Sequence, residues 1–182
     1  MSERYTLCVF SENSPGVLHR ITTLFTRRKL NIESLTVSET EKSGISRFTI
    51  VVQTERELAY KVADQIQRII EVSDVYVCDD SDLVFKEIAL YKVSASEDEQ
   101  RRRLDDLVLQ QRAQIAFAKN GYVIIEKMGT EVEVRSLYAL LEPFGMLEFV
   151  RSGRIGLLKE NREEKQFVEH EGGDNEEAKA FI

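Results

Sequence analysis

Val17, Leu18, Ile21, Leu24 and Phe25 recur at the spacing of a single helix face, leaving Arg20, Arg27 and Arg28 for solvent or a partner. The apolar run from Tyr5 to Phe10 before it reads as a strand. Residues 32–39 then alternate, with Ile32, Ser34, Thr36 and Ser38 on one side and Leu35 and Val37 on the other. Thr40 to Gly44 supplies a turn, and Arg47 to Gln53 a third strand with Phe48, Ile50 and Val52 on one face. The next helix carries Leu58, Ala59, Val62, Ala63, Ile66, Ile69 and Ile70, and Val72 to Cys78 follows as a fourth strand. This βαββαβ order predicts an α+β, ferredoxin-like sheet with both helices on one face, so the other face must be covered or polar.

The charged stretch Asp79-Asp80-Ser81-Asp82 interrupts the pattern, which then begins again. Lys86 to Ser94 reads as a strand, and Glu97 to Gln111 as a helix with Leu104, Leu107 and Val108 inward. Ala113 to Ala118 and Tyr122 to Met128 form a hairpin around Lys119-Asn120-Gly121, where Asn-Gly is a strong turn signal. Glu131 to Leu141 is a helix stopped by Pro143, and Met146 to Leu158 has strand character broken near Gly153. Two ferredoxin-like βαββαβ domains are therefore expected, residues 1–79 and 83–158, alike in element order rather than in sequence. Residues 159–182 are acidic and poor in apolar side chains, which predicts a mobile tail whose Phe167, Val168, Phe181 and Ile182 are candidates for docking on a partner.

Composition narrows the function classes. The chain has 182 residues with 42% hydrophobic content, enough for packed cores, and no apolar run approaches the roughly 20 residues that span a bilayer. The start lacks the pattern of a secretory signal, so the cytoplasm is the expected address and no membrane partner is expected. A net charge of −7 argues against nucleic acid, and the local runs Arg27-Arg28-Lys29 and Arg101-Arg102-Arg103 suit helix dipoles and neighbouring carboxylates. Cys8 and Cys78 lie in strand-like segments and are expected as buried, reduced thiols. No metal-spaced cluster, nucleophile elbow or glycine-rich phosphate loop is present, and Ser14 lacks a recognisable base.

The segment between the first strand and the first helix, Glu12-Asn13-Ser14-Pro15-Gly16-Val17-Leu18, carries the candidate chemistry. Ser14 is placed to cap the helix and Pro15 to occupy its first position, directing the N–H groups of Gly16, Val17 and Leu18 out of the helix end. Such an end attracts an anion, Gly16 lets a carboxylate approach the main chain, and Asn13 offers a donor and an acceptor. A zwitterionic amino acid fits that inventory, with Val17 and Leu18 available to an aliphatic side chain. Asn31 either joins the site or closes the preceding helix in a left-handed conformation. His19 reads as a partly exposed interface residue, and Glu33 has no catalytic role assigned.

Asn13-Ser14-Pro15-Gly16-Val17-Leu18, followed by the stretch from Leu24 through Asn31-Ile32-Glu33-Ser34-Leu35, resembles the N-terminal ACT domain of the small regulatory subunit of acetolactate synthase. Glu142 through Arg154 resembles the C-terminal signature of that family. The resemblance implies ACT domains paired about a two-fold axis in a homodimer, with effector sites at their interface. Asn13, Ser14, Pro15, Gly16, Val17 and Leu18 would come from one chain and Asn31 and Ile32 from the other. It implies a branched-chain amino acid effector, valine first, and feedback inhibition. The implied partner is a catalytic large subunit using thiamine diphosphate, magnesium and FAD, with no cofactor and no catalysis in this chain. Phe144, Gly145, Glu148, Val150, Arg151 and Arg154 would contribute to partner binding, a local salt-bridge role being equally open for Arg151 and Arg154. His19 departs from the small residue expected there, which leaves effector identity open. A stand-alone amino-acid sensor and a small ferredoxin-like enzyme are the competing classes.

Overall fold

The computed structural model describes residues 3–160. The first unit contains β1 (Glu3–Glu12), α1 (Val17–Arg27), β2 (Ile32–Glu39), β3 (Ile45–Thr54), α2 (Arg56–Gln67) and β4 (Val72–Cys78). Its sheet is antiparallel with the order β2-β3-β1-β4, so β2 and β4 are edges. Leu7 and Val9 of β1, Phe48, Ile50 and Val52 of β3, and Val75 and Val77 of β4 face the helices. There they meet Val17, Ile21 and Phe25 of α1 and Ala59, Val62 and Ile66 of α2. Burying such side chains contributes about 1.5–3 kcal/mol each, which makes this the folding core of the unit.

The second unit repeats the order: β5 (Leu83–Ala95), α3 (Asp98–Gln110), β6 (Gln114–Lys119), β7 (Gly121–Gly129), α4 (Glu131–Leu141), β8 (Met146–Arg151) and β9 (Ile155–Leu158). Its strand order, β6-β7-β5-β8, is the counterpart of the first. Ala89, Tyr91 and Val93 of β5 and Val123 and Ile125 of β7 pack on Leu104, Val108, Val134, Leu137 and Leu141. The Tyr91 hydroxyl donates to the Val134 carbonyl at 2.8 Å, and burial pushes its pKa up to about 12. The Asn120-Gly121 turn forms as expected, with Gly121 at φ +98°, and Thr130 caps α4 in a reciprocal capping box with Glu133.

Four local expectations are corrected. The second helix ends at Gln67, so Ile70 is 95% exposed instead of extending the apolar stripe. A bulge between Ile32 and Ser34 places Ile32 beside Leu35 on the helix-facing core, leaving Ser34 and Thr36 on the opposite face. Asp79 to Asp82 is a tight turn, with the Ser81 N–H donating to Asp79 Oδ1 at 2.8 Å and the Asp82 N–H to the Asp79 carbonyl at 3.3 Å. β5 consequently starts at Leu83, earlier than Lys86, and Leu83 packs with Cys8, Phe10, Tyr76 and Cys78 on the helix-free face of the first sheet. Both cysteines are buried there. From residue 161 onward the expected mobile tail lies outside the described residues.

The helix-free face of the first sheet is thus covered in part by the second unit. β9 pairs with the first part of β5, Leu83 to Lys86, while β7 and β8 pair with the remainder. Among the described residues no helix is long and apolar enough to cross a membrane.

Candidate functional site

The loop from Asn13 to Gly16 is held by main-chain bonds. The Asn13 N–H donates to the Gly44 carbonyl at 2.7 Å, at the tip of the β2–β3 hairpin, and the Ser14 N–H donates to Glu12 at 3.0 Å. Glu12 is itself tied through its N–H to the Glu71 carbonyl at 2.8 Å. Gly16, not Ser14, occupies the N-cap position, and Pro15 precedes the helix. The reason is steric: the chain turns into α1 through φ +89° at Gly16, a left-handed conformation that glycine accepts without a Cβ penalty. The Gly16 carbonyl still starts the helix by accepting the Arg20 N–H at 3.0 Å.

The resulting helix end is open. A Cβ on Gly16 would meet nothing within 4 Å, so the space beside this helix start, the end that attracts anions, is open. Val17 is buried in the core and offers the site only its main chain, whereas Leu18 is 44% exposed. Asn13, Pro15 and His19 are exposed and Ser14 half-buried. Arg20 pairs with Glu71, whose carboxyl is held below the usual range by that hydrogen bond.

Asn31 is relieved of the capping role. Lys29, at φ +53°, takes the left-handed position, with the Lys29 N–H donating to Thr26 at 3.0 Å and the Leu30 N–H to Phe25 at 3.0 Å. These two bonds form a Schellman closure that satisfies the helix end. Asn31 is exposed at the entrance to edge strand β2.

Within one chain, the two groups of candidate residues lie at opposite ends of the sheet. Ile32 is in register with Val52 and hence with Tyr5, whereas Glu12 is in register with Ile45. From Tyr5 to Glu12, at about 3.3 Å per residue, the separation is roughly 23 Å.

The second unit touches both of the strands involved. Gly153 lies over β2, where a Cβ would come 3.1 Å from Thr36 Cγ2, and the Thr36 hydroxyl donates to the Arg154 carbonyl at 2.8 Å. The Arg154 side chain is 2% exposed. It donates to Thr6 Oγ1 on β1 at 3.2 Å and to Asp80 Oδ1 at 2.6 Å, with its guanidinium 3.9 Å above the Phe85 ring. Of its two expected roles, the intramolecular one is realised. Its signal was weak, because a basic residue next to a glycine reads as exposed turn.

A second junction centres on Glu131, at the start of α4. It meets Arg4 at 2.8 Å, Arg135 at 2.9 Å and Arg151 at 3.4 Å, and Arg4 also holds Glu33 at 3.0 Å. Burial raises the Glu131 pKa, but Arg4, the Arg135 hydrogen bond and Arg151 outweigh it and leave the carboxyl below its ordinary value. Arg151 additionally pairs with Glu87 at 3.1 Å. Of the other C-terminal candidates, Phe144 packs in the second core beneath Arg103, Gly145 turns the chain at φ +89°, Glu148 lies 3.9 Å from Lys92, and Val150 is 55% exposed.

Fold and loop together define an ACT-type unit joined to a second ferredoxin-like unit. Residues 7–74 match the family model described as AHAS small subunit-like ACT domain, and residues 86–160 match that described as small subunit of acetolactate synthase. The chain is 36% identical over 159 residues to a probable acetolactate synthase small subunit of Archaeoglobus fulgidus, covering 87% of this chain and 99% of the relative. It is 35% identical over 142 residues to the acetolactate synthase small subunit of Bacillus subtilis, covering 78% and 82%. The crystal structure of the small subunit from Thermotoga maritima superimposes with a TM-score of 0.79 at 30% identity, covering 87% of this chain and 99% of that one. The chain belongs to the acetolactate synthase small-subunit family.

Proposed function

We propose that this chain is the regulatory subunit of an acetolactate synthase, activating a catalytic large subunit and conferring feedback inhibition by a branched-chain amino acid, with valine the first candidate. The observation that carries the reading is the separation of the two halves of the cradle on an edge-exposed sheet. Among the described residues β2 is an edge strand, which can pair with its counterpart in a second copy. Antiparallel pairing about a two-fold axis sets the Asn31 end of one β2 beside the Glu39 end of the other, where Gly44 anchors the partner's Asn13 loop. One copy then supplies helix-end N–H groups for the effector carboxylate, and the other supplies Asn31 and Ile32.

Effector binding stabilises the paired arrangement and shifts β2, and Thr36 passes that shift to Arg154 in the second unit. A coupling of about 1–3 kcal/mol gives roughly 5 to 150-fold regulation. The large subunit docks on the helix-free face of the second sheet, where Ile88, Leu90 and Val150 are exposed. Thiamine diphosphate, magnesium and FAD belong to that partner, and the holoenzyme acts in the cytoplasm.

Calorimetric titration of the full chain with valine, leucine and isoleucine tests the reading. Saturable binding is expected, falling at least about tenfold in Gly16→Asp, where a carboxylate would repel the effector's own. Gly16→Asn, which tolerates the left-handed backbone, separates charge from strain. Hybrids of Gly16→Asp and Asn31→Ala chains should retain one intact site per dimer. Full effector affinity in Gly16→Asp would remove the cradle from its assigned place.

A further inference from the structure

We propose that the groove between the helix-free face of the first sheet and the β5–β9 hairpin is a second ligand site, specific for a small aliphatic carboxylate that lacks an amino group. The groove encloses about 430 Å³, within the range of small-molecule sites. Its floor is β2 and β3, and its far wall is the second unit, so it is distinct from the Asn13–Gly16 loop.

Arg47 sets the charge. Its guanidinium lies 5.3 Å over the Phe10 ring and donates through Nη2 to the Cys8 sulfur at 3.4 Å, while its Nε is buried with no acceptor among the described residues. Among the described residues the guanidinium meets a ring and a weak sulfur acceptor and no carboxylate, so its charge is uncompensated, and a carboxylate in the groove that Arg47 lines would neutralise it. Ser38 and Thr49 place hydroxyl groups on the same floor, and Lys86, whose ammonium pairs with Glu133 at 3.3 Å, stands at the rim.

The remaining lining defines what accompanies the carboxylate. Among the described residues no Asp or Glu lines the groove, and Glu133 is already engaged by Lys86 and the Thr130 N–H, so an ammonium group beside Arg47 would lack a counter-charge. An amino acid is therefore disfavoured and a monoanion favoured, the reverse of the helix-end cradle. Met128, Ile155 and Leu157 are 64%, 57% and 64% exposed and form an apolar wall that an aliphatic chain would cover.

The test is calorimetric titration of the full chain with 3-methylbutanoate, with 3-methylbutanamide as the uncharged control. Saturable binding is expected for the acid and none for the amide. Affinity should fall at least about tenfold in Arg47→Met, which preserves the stem but removes the charge. Met128→Glu, at an exposed position, sets a carboxylate opposite Arg47 and should weaken binding similarly, which decides the matter if Arg47→Met fails to fold. The inference is overturned by absence of saturable binding, by undiminished affinity in Met128→Glu or in a folded Arg47→Met, or by loss of the signal in Gly16→Asp, which would assign it to the helix-end cradle.

Discussion

The two units share a strand order and treat their helix-free faces in opposite ways. In the first, that face carries Thr6, Thr36, Thr49 and Arg47 beside Cys8, Phe10 and Tyr76, and the second unit covers part of it through Leu83, Phe85, Leu158 and Arg154. In the second, the corresponding face presents Ile88 at 47%, Leu90 at 37% and Val150 at 55% exposure, and reaches the groove beside the first sheet only at its edge, through Met128 in register with Ile88. One topology thus supplies a face that packs in part against the neighbouring unit and a face whose apolar side chains remain exposed, the composition of surfaces that partners bury. The treatment of the helix-free face, more than the strand order, distinguishes the two units.

The largest expected effect comes from spoiling the outward face. Leu90→Asp should weaken large-subunit binding at least about tenfold while effector binding persists, as read by co-sedimentation and calorimetry. Normal activation by this variant would equalise the two faces and remove the proposed docking surface. Arg154→Met acts on the inward face, removing a buried guanidinium with two side-chain partners. The expected cost is about 2 kcal/mol, or roughly 4–8 °C in thermal midpoint, with effector binding retained and its influence on the large subunit reduced. An unchanged midpoint would show that the covering of the first sheet does not depend on this residue.

The smallest effect sharpens the comparison by pH. The Thr130 N–H at 2.7 Å and the Thr130 hydroxyl at 3.0 Å hold the Glu133 carboxyl at a pKa of about 2. Because the folded value lies below the ordinary value of about 4.3, its stabilisation is complete above that pH and is lost as pH falls toward 2. Glu133→Gln should flatten the denaturation midpoint across this acid window, and it should cost less than about 1 kcal/mol at pH 7. Acid sensitivity that persists unchanged would move it to the other carboxyls held below their ordinary values, Glu131 at the junction between the units and Glu71 beside Arg20.

Much of this arrangement was legible in the sequence because it is local. Apolar spacing located both cores, Asn120-Gly121 marked its hairpin, and Asn13 to Gly16 stood out as a loop opening a helix. Three features escaped for physical reasons. Capping by Ser14 was reasonable from residue preference, but the turn needed a left-handed residue and Gly16 supplied it. A bulge shifts facing by one residue, so strict alternation misplaced Ile32. The burial of Arg154 depends on Thr6, 148 positions earlier, and no local pattern encodes that distance.

β5 belongs to both units without interruption. Leu83 to Lys86 lies with β9 against the first sheet, and Glu87 to Ala95 is the central strand of the second. At about 3.3 Å per residue, its 13 residues make a beam of roughly 43 Å. The molecule therefore has no swivel at its waist. A displacement at one end must be carried by flexing that beam or by sliding what rests on it, and its amplitude is set by the stiffness of paired strands. Small tilts, transmitted mechanically, are the motions this architecture favours.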